Sequence, residues 1–130
     1  MIGVDTNVLV RWLVSDAAHE DQSLAAKDAL KGQIIFVSII TLVETVWLLR
    51  GAYKRASTEV QAVVANMIAS PRFKLESDTI VEAALHDATS LGGDLVDHLI
   101  ARTGAASGCT TTLTFDRKAA RSPHFTLLPS

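Results

Sequence analysis

Short apolar runs alternate along this chain with longer segments whose apolar residues recur every three or four positions. Residues 1–4 form the first run and read as a buried strand, interrupted by Asp5-Thr6-Asn7. Val8, Leu9, Trp12 and Leu13 then recur at helical spacing, which predicts a helix from about Asn7. Residues 15–19 read as a loop. Good helix formers fill 21–31, with Gly32 placed to close that helix. The run 34–37 is a second buried strand, rich in β-branched residues and ended by Ser38. Leu42, Val46, Leu49 and Tyr53 share one face of a long helix. Ser57 can cap a further helix to about Ala69, stopping before Pro71. A short strand over 73–76 precedes a helix over 78–90, which Gly92-Gly93 breaks. Asp94 is a natural N-cap for a helix over 95–106, closed by Gly108. A β-branched strand over 110–115 ends at Asp116, and a helical turn over 117–121 and a strand over 125–128 complete the pattern.

Alternating strands and helices, with strands that are continuous apolar runs, predict a parallel sheet covered by helices on both faces. In such sheets ligands bind outside the carboxyl ends of the strands, so the residues placed there carry the functional question. At 130 residues the chain suits a single domain, and 48% apolar with 20% charged residues describes a globular protein. The lone Cys109 cannot form an internal disulfide and reads as a buried, inert thiol. No basic leader and no apolar segment near the roughly 20 residues needed to cross a bilayer is present, so a soluble cytoplasmic protein without membrane association is expected.

Two predicted strands terminate directly in an aspartate, Asp5 and Asp116. Glu44 is the only acid between Asp28 and Glu59, in an otherwise apolar stretch, and Asp94 and Asp97 open the helix before the Thr110 strand. Each has an ordinary structural reading. Asp5 and Asp116 can cap the turns that follow them, Thr41 to Glu44 matches a capping box, and Asp97 sits where a carboxylate favours the helix dipole. All of these positions can face one sheet edge, however, and carboxylates gathered in a partly desolvated cleft repel one another unless a cation neutralises them. Oxygen-only donors favour Mg²⁺ or Mn²⁺. His19, His86, His98 and His124 are too scattered for a zinc site, and His98 reads as a surface residue near Asp97. Thr114, two residues before Asp116, points to the same side of its strand and could hold a metal-bound water or steady the Asp116 carboxylate.

These residues resemble the motifs of the PIN-domain family. Val4-Asp5-Thr6-Asn7-Val8-Leu9 resembles the opening motif, Val37-Ser38 with Leu42 to Leu49 the second, Asp94 to Ala101 the third, and Thr112-Leu113-Thr114-Phe115-Asp116 the fourth. They stand in family order over nearly the whole chain, at the size of a stand-alone VapC-type toxin. Arg102-Thr103-Gly104 departs from the small apolar residues of relatives.

The resemblance implies a single PIN-like domain over 1–130, a three-layer α/β/α sandwich with a central, mostly parallel sheet. It also implies RNA cleavage dependent on Mg²⁺ or Mn²⁺. Asp5, Glu44, Asp97 and Asp116 become the metal-site acids, with Thr6, Asn7, Asp94 and Thr114 in support and Asp97 or Asp116 as proton acceptor. A cognate antitoxin and a homodimer are the implied partners, and Trp47 and Tyr53 could serve either interface, although Trp47 reads more readily as core.

Net charge is −2, so RNA guidance rests on local groups: Arg11, Arg50, Lys54, Arg117 and Lys118. Two rival readings stand beside this one. A phospho-acceptor signalling domain would need a second acid beside Asp5 and a late lysine at another strand end, whereas Lys118 follows Asp116 closely. A catalytically silent binding module would need no working set of acids.

Overall fold

Five short strands and six α-helices alternate along the chain in a computed structural model that describes residues 1–130. The order is β1 (Ile2–Gly3), α1 (Thr6–Leu13), α2 (Glu20–Leu30), β2 (Ile35–Val37), α3 (Ile39–Arg50), α4 (Ser57–Ala69), β3 (Phe73–Leu75), α5 (Asp78–Leu91), α6 (Leu95–Ala106), β4 (Thr112–Thr114) and β5 (Phe125–Leu127). Single 3₁₀ turns lie at Ala17–His19 and Ala119–Arg121. The chain divides into two compact units, Met1–Ala56 with Asn66–Glu76, and Ser57–Ala65 with Ser77–Ser130.

The first unit holds a parallel sheet in the order β1-β2-β3, with Ile2 opposite Ile35 and Ile35 opposite Phe73. Parallel neighbours need long crossovers, supplied here by helices between the strands. Ile35 and Val37 are buried, as the continuous apolar run predicts, and Leu9, Val10, Leu30, Leu42, Val46 and Leu49 are buried with them. Arg72 ties the end of α2 to β3: Nη2 donates to Leu30 O at 2.8 Å and its guanidinium lies 5.8 Å from the Trp12 ring centre. A cation at the last carbonyls of a helix complements its dipole.

The second unit holds the parallel pair β4-β5, with Thr112 opposite Phe125 and Thr114 opposite Leu127. Helices α5 and α6 pack together, and Val81, Ala84 and Ala88 of α5 and Leu99 of α6 are buried. They are also joined by a two-pronged ion pair from Arg102, with Nε 2.6 Å from Asp87 Oδ2 and Nη2 2.8 Å from Asp87 Oδ1. That bond explains the departure at Arg102: the cation answers a buried carboxylate on the neighbouring helix.

The architecture is the expected α/β class, and every strand pairing is parallel. Several positions differ from expectation. Ile2 and Gly3 are exposed although the run 1–4 reads as a buried strand. Trp47 is 59% exposed, because α3 is apolar on more than one face and the face carrying Leu42, Val46 and Leu49 is the one turned inward. Cys109 is exposed, since the chain leaves α6 through Gly108 (φ +95°) before entering β4. His98 is fully buried. No helix is long and apolar enough to cross a membrane.

Candidate active site

Asp5 closes the end of β1 and caps α1, its Oδ1 accepting from Val8 N at 3.0 Å. One carboxylate oxygen is thereby used on the helix terminus, while Oδ2 carries no bond within the protein. Thr6 and Asn7 form the first turn of α1. Thr41 Oγ1 donates to Val4 O at 3.4 Å and so ties the start of α3 to the residue before Asp5.

The capping-box reading of Glu44 is overturned. Helix α3 begins three residues earlier than that motif requires, with Ser38 as N-cap accepting from Thr41 N at 3.2 Å. Glu44 lies in the second turn, exposed and without a hydrogen bond, on the same side of α3 as the exposed Ile40 and Trp47.

In the second unit Asp94 caps α6, its Oδ1 accepting from Val96 N at 2.7 Å. Asp116 folds the turn after β4, its Oδ1 accepting from Lys118 N at 2.8 Å and Ala119 N at 3.4 Å. Thr114 Oγ1 accepts from Asp116 N at 3.0 Å, so the threonine steadies the Asp116 backbone in place of its carboxylate.

The loop between α5 and α6 sets Asp94 against this turn. Gly92 adopts φ +74°, ψ −167°, a region that side chains all but forbid, and a Cβ on Gly93 (φ +86°) would lie 3.8 Å from Lys118 O. His98 fixes the loop from beneath. Its Nε2 is 2.7 Å from Gly92 O, and because a carbonyl only accepts, Nε2 carries the proton. Gly92→Ala is expected to lower unfolding free energy by about 1–3 kcal/mol, read by denaturant titration.

Asp97 stands apart from the capping acids. It is half-buried and receives no hydrogen bond, although it sits in the first turn of α6. Burial, then the like charges of Asp94 and Asp116, push its carboxyl above the usual carboxylate range, with His98 opposing. A half-buried carboxylate without a donor, in the field of two more carboxylates, is a costly arrangement. Its donor chemistry fits a hard divalent cation, which would satisfy the idle oxygens and cancel the repulsion. The side chains do not close into a ready cage, since no three His, Cys, Asp or Glu groups are gathered tightly enough to hold an ion.

The basic residues divide. Arg11 is half-buried, with Nε donating to Gln22 Oε1 at 2.8 Å and Nη1 to Tyr53 Oη at 2.9 Å. Arg50 Nη1 donates to Arg55 O at 2.9 Å and closes the end of α3. Lys54, Arg117 and Lys118 are exposed, the last two in the turn that Asp116 caps. A groove of about 350 Å³ runs beside Asp5 and Asn7 between α1 and α2, with Arg11 and Gln22 on its wall. Gln22 carries no sequence signal, being one polar residue in an ordinary helix; only its bond to Arg11, eleven positions away, marks it.

The sequence profile of the PIN domain matches residues 2–124. The chain therefore belongs to the PIN-domain family, whose members are generally metal-dependent nucleases. No curated protein matches it closely enough to be counted a relative.

Proposed function

We propose that the protein is an endoribonuclease dependent on Mg²⁺ or Mn²⁺, and the toxin member of a toxin–antitoxin pair in the cytoplasm. The observation that carries the catalytic part is Asp97, a half-buried carboxylate with no donor, set against Asp94 and Asp116. Asp97 and Asp116 would hold the cation together with Asp5 and Glu44, which are assigned to the same centre from the family motifs. The capping and ligand roles are compatible, because Asp5 and Asp116 each use Oδ1 on backbone N–H groups and keep Oδ2 idle. When bound, the cation supplies activation of water and relief of charge on the phosphodiester. Thr114 holds the Asp116 turn, and Asp94 fixes the start of α6 on which Asp97 rides. Thr6 and Asn7 present polar groups beside Asp5. Whichever of Asp97 and Asp116 the cation leaves uncoordinated is the acid that would accept the proton of the attacking water. The exposed Arg117 and Lys118, in the Asp116 turn, would draw the RNA backbone toward an otherwise acidic site.

The toxin assignment rests on the motif resemblance and on the exposed apolar face of α3. Ile40 and Trp47, at 68% and 59% exposure, flank Glu44 there, and a face of this kind suits an antitoxin or a second copy of the chain.

Cleavage-site mapping on total cellular RNA in Mn²⁺ tests the activity, with Asp5→Asn and Asp116→Asn as controls. Discrete cuts that vanish in both variants are expected. Equal cutting by the native protein and either variant would place the activity elsewhere.

A further inference from the structure

We infer that the groove between α1 and α2 is a nucleobase subsite that receives a guanine of the RNA substrate through its acceptor edge; this rests on the ribonuclease reading. The groove holds about 350 Å³, at the small end of the range for ligand pockets. It opens on Asp5, so a base seated there belongs to a nucleotide next to the bond being cut. Its lining divides by chemistry into apolar side chains, Val8 of α1 and the alanines of α2, and polar ones, Asn7, Arg11 and Gln22. A flat ring with a hydrogen-bonding edge matches that division.

The wall is fixed in advance, and its donors are oriented by elimination. Arginine has no acceptor, so Gln22 presents Oε1 to Arg11 Nε, and its NH₂ group is left without a partner in the protein. Tyr53 Oη accepts from Arg11 Nη1 and donates to Asp16 Oδ2 at 3.4 Å, which anchors the guanidinium from its other side. Arg11 Nη2 also has no partner in the protein. Two sets of idle donors on adjacent side chains, one held rigidly by two bonds, match two adjacent acceptors. Guanine offers O6 beside N7, the pairing that arginine reads best. Adenine offers N7 beside an amino donor, which would meet donors and leave them unsatisfied. Bases of single-stranded RNA are free to swing into such a slot, whereas those of a duplex are not.

The test is cleavage of a randomised single-stranded RNA pool in Mn²⁺, with cut sites read by sequencing. Guanine is expected over adenine by about tenfold or more at one position beside the cut. Substituting 7-deazaguanosine at that position should slow cleavage. Gln22→Glu keeps the acceptor for Arg11 and removes the NH₂ donors, so the preference should fall to roughly twofold; Arg11→Lys should weaken it likewise. Thermal melting of both variants establishes that each is folded. Cleavage without base preference, or a guanine preference unchanged in both variants, overturns the subsite and leaves the groove to a protein segment. Absence of any RNA cleavage by the native protein overturns the ribonuclease reading as well.

Discussion

Asp97→Asn is expected to slow RNA cleavage by about 100-fold or more, and to melt higher than the native chain in metal-free buffer at neutral pH. The two effects share one cause. Asp97 is half-buried, receives no hydrogen bond and stands in the field of Asp94 and Asp116, so its folded-state pKa lies above the ordinary 3.8. An acid with a raised folded pKa binds its proton more tightly in the folded state. Stability is therefore lost as pH rises from the ordinary carboxylate range through the raised value, and above it the penalty is fully present. Asparagine removes the charge and with it the penalty, and it also removes the carboxylate proposed to serve the cation. Melting curves between pH 3 and 8 with and without Mn²⁺, beside cleavage rates, read both effects. A variant that is less stable than the native chain at neutral pH without metal would show that Asp97 is a structural acid.

Arg102→Leu is expected to destabilise the protein by about 3 kcal/mol. Asp87 is only 6% exposed, and Arg102 answers both of its oxygens, at 2.6 and 2.8 Å. The Arg102 hydrogen bonds hold the Asp87 carboxyl below its ordinary range against the cost of burial. Removing the arginine strands a charge between α5 and α6. Because the folded pKa of Asp87 is depressed, the pair's contribution is present above the unfolded value of 3.8 and fades as pH falls through the lower folded value. Replacing both partners, Asp87→Leu with Arg102→Leu, should recover most of the loss, since no buried charge then remains. Urea unfolding of the single and double variants checks this; a double variant as unstable as Arg102→Leu alone would deny the pairing its role.

Helix and strand positions were largely legible because their signals are local. Asp94 caps a helix that spans Leu95–Ala106, as the cap, the apolar spacing and Gly108 indicate. The strand at Ile35–Val37 follows from its continuous apolar run. Legibility fails where a three-dimensional neighbour decides. Helix α3 is apolar on several faces, so periodicity alone could not say that Trp47 would be left outside. Thr41-Leu42-Val43-Glu44 has the form of a capping box, yet Ser38 captures the helix start first and frees Glu44 from that duty. His98 reads as a surface residue until the Gly92 carbonyl comes within 2.7 Å of its ring. Arg102 looks anomalous until Asp87, fifteen positions earlier, is seen beside it. The capping duties of Asp5, Asp94 and Asp116 were legible from their places at the starts of helices and turns. Invisible in the sequence was that the caps of Asp5 and Asp116 each engage Oδ1 alone and leave Oδ2 without a partner in the protein.

The measurement that bears most directly on the proposed metal centre is calorimetric titration of Mn²⁺ into the native protein and into Asp5→Asn, Glu44→Gln, Asp97→Asn and Asp116→Asn. Each substitution should weaken binding by about tenfold or more, because each removes an anionic oxygen from one ion's surroundings. Native-like Mn²⁺ affinity in Asp5→Asn or Glu44→Gln, with loss only in Asp97→Asn and Asp116→Asn, would contradict a centre built from all four.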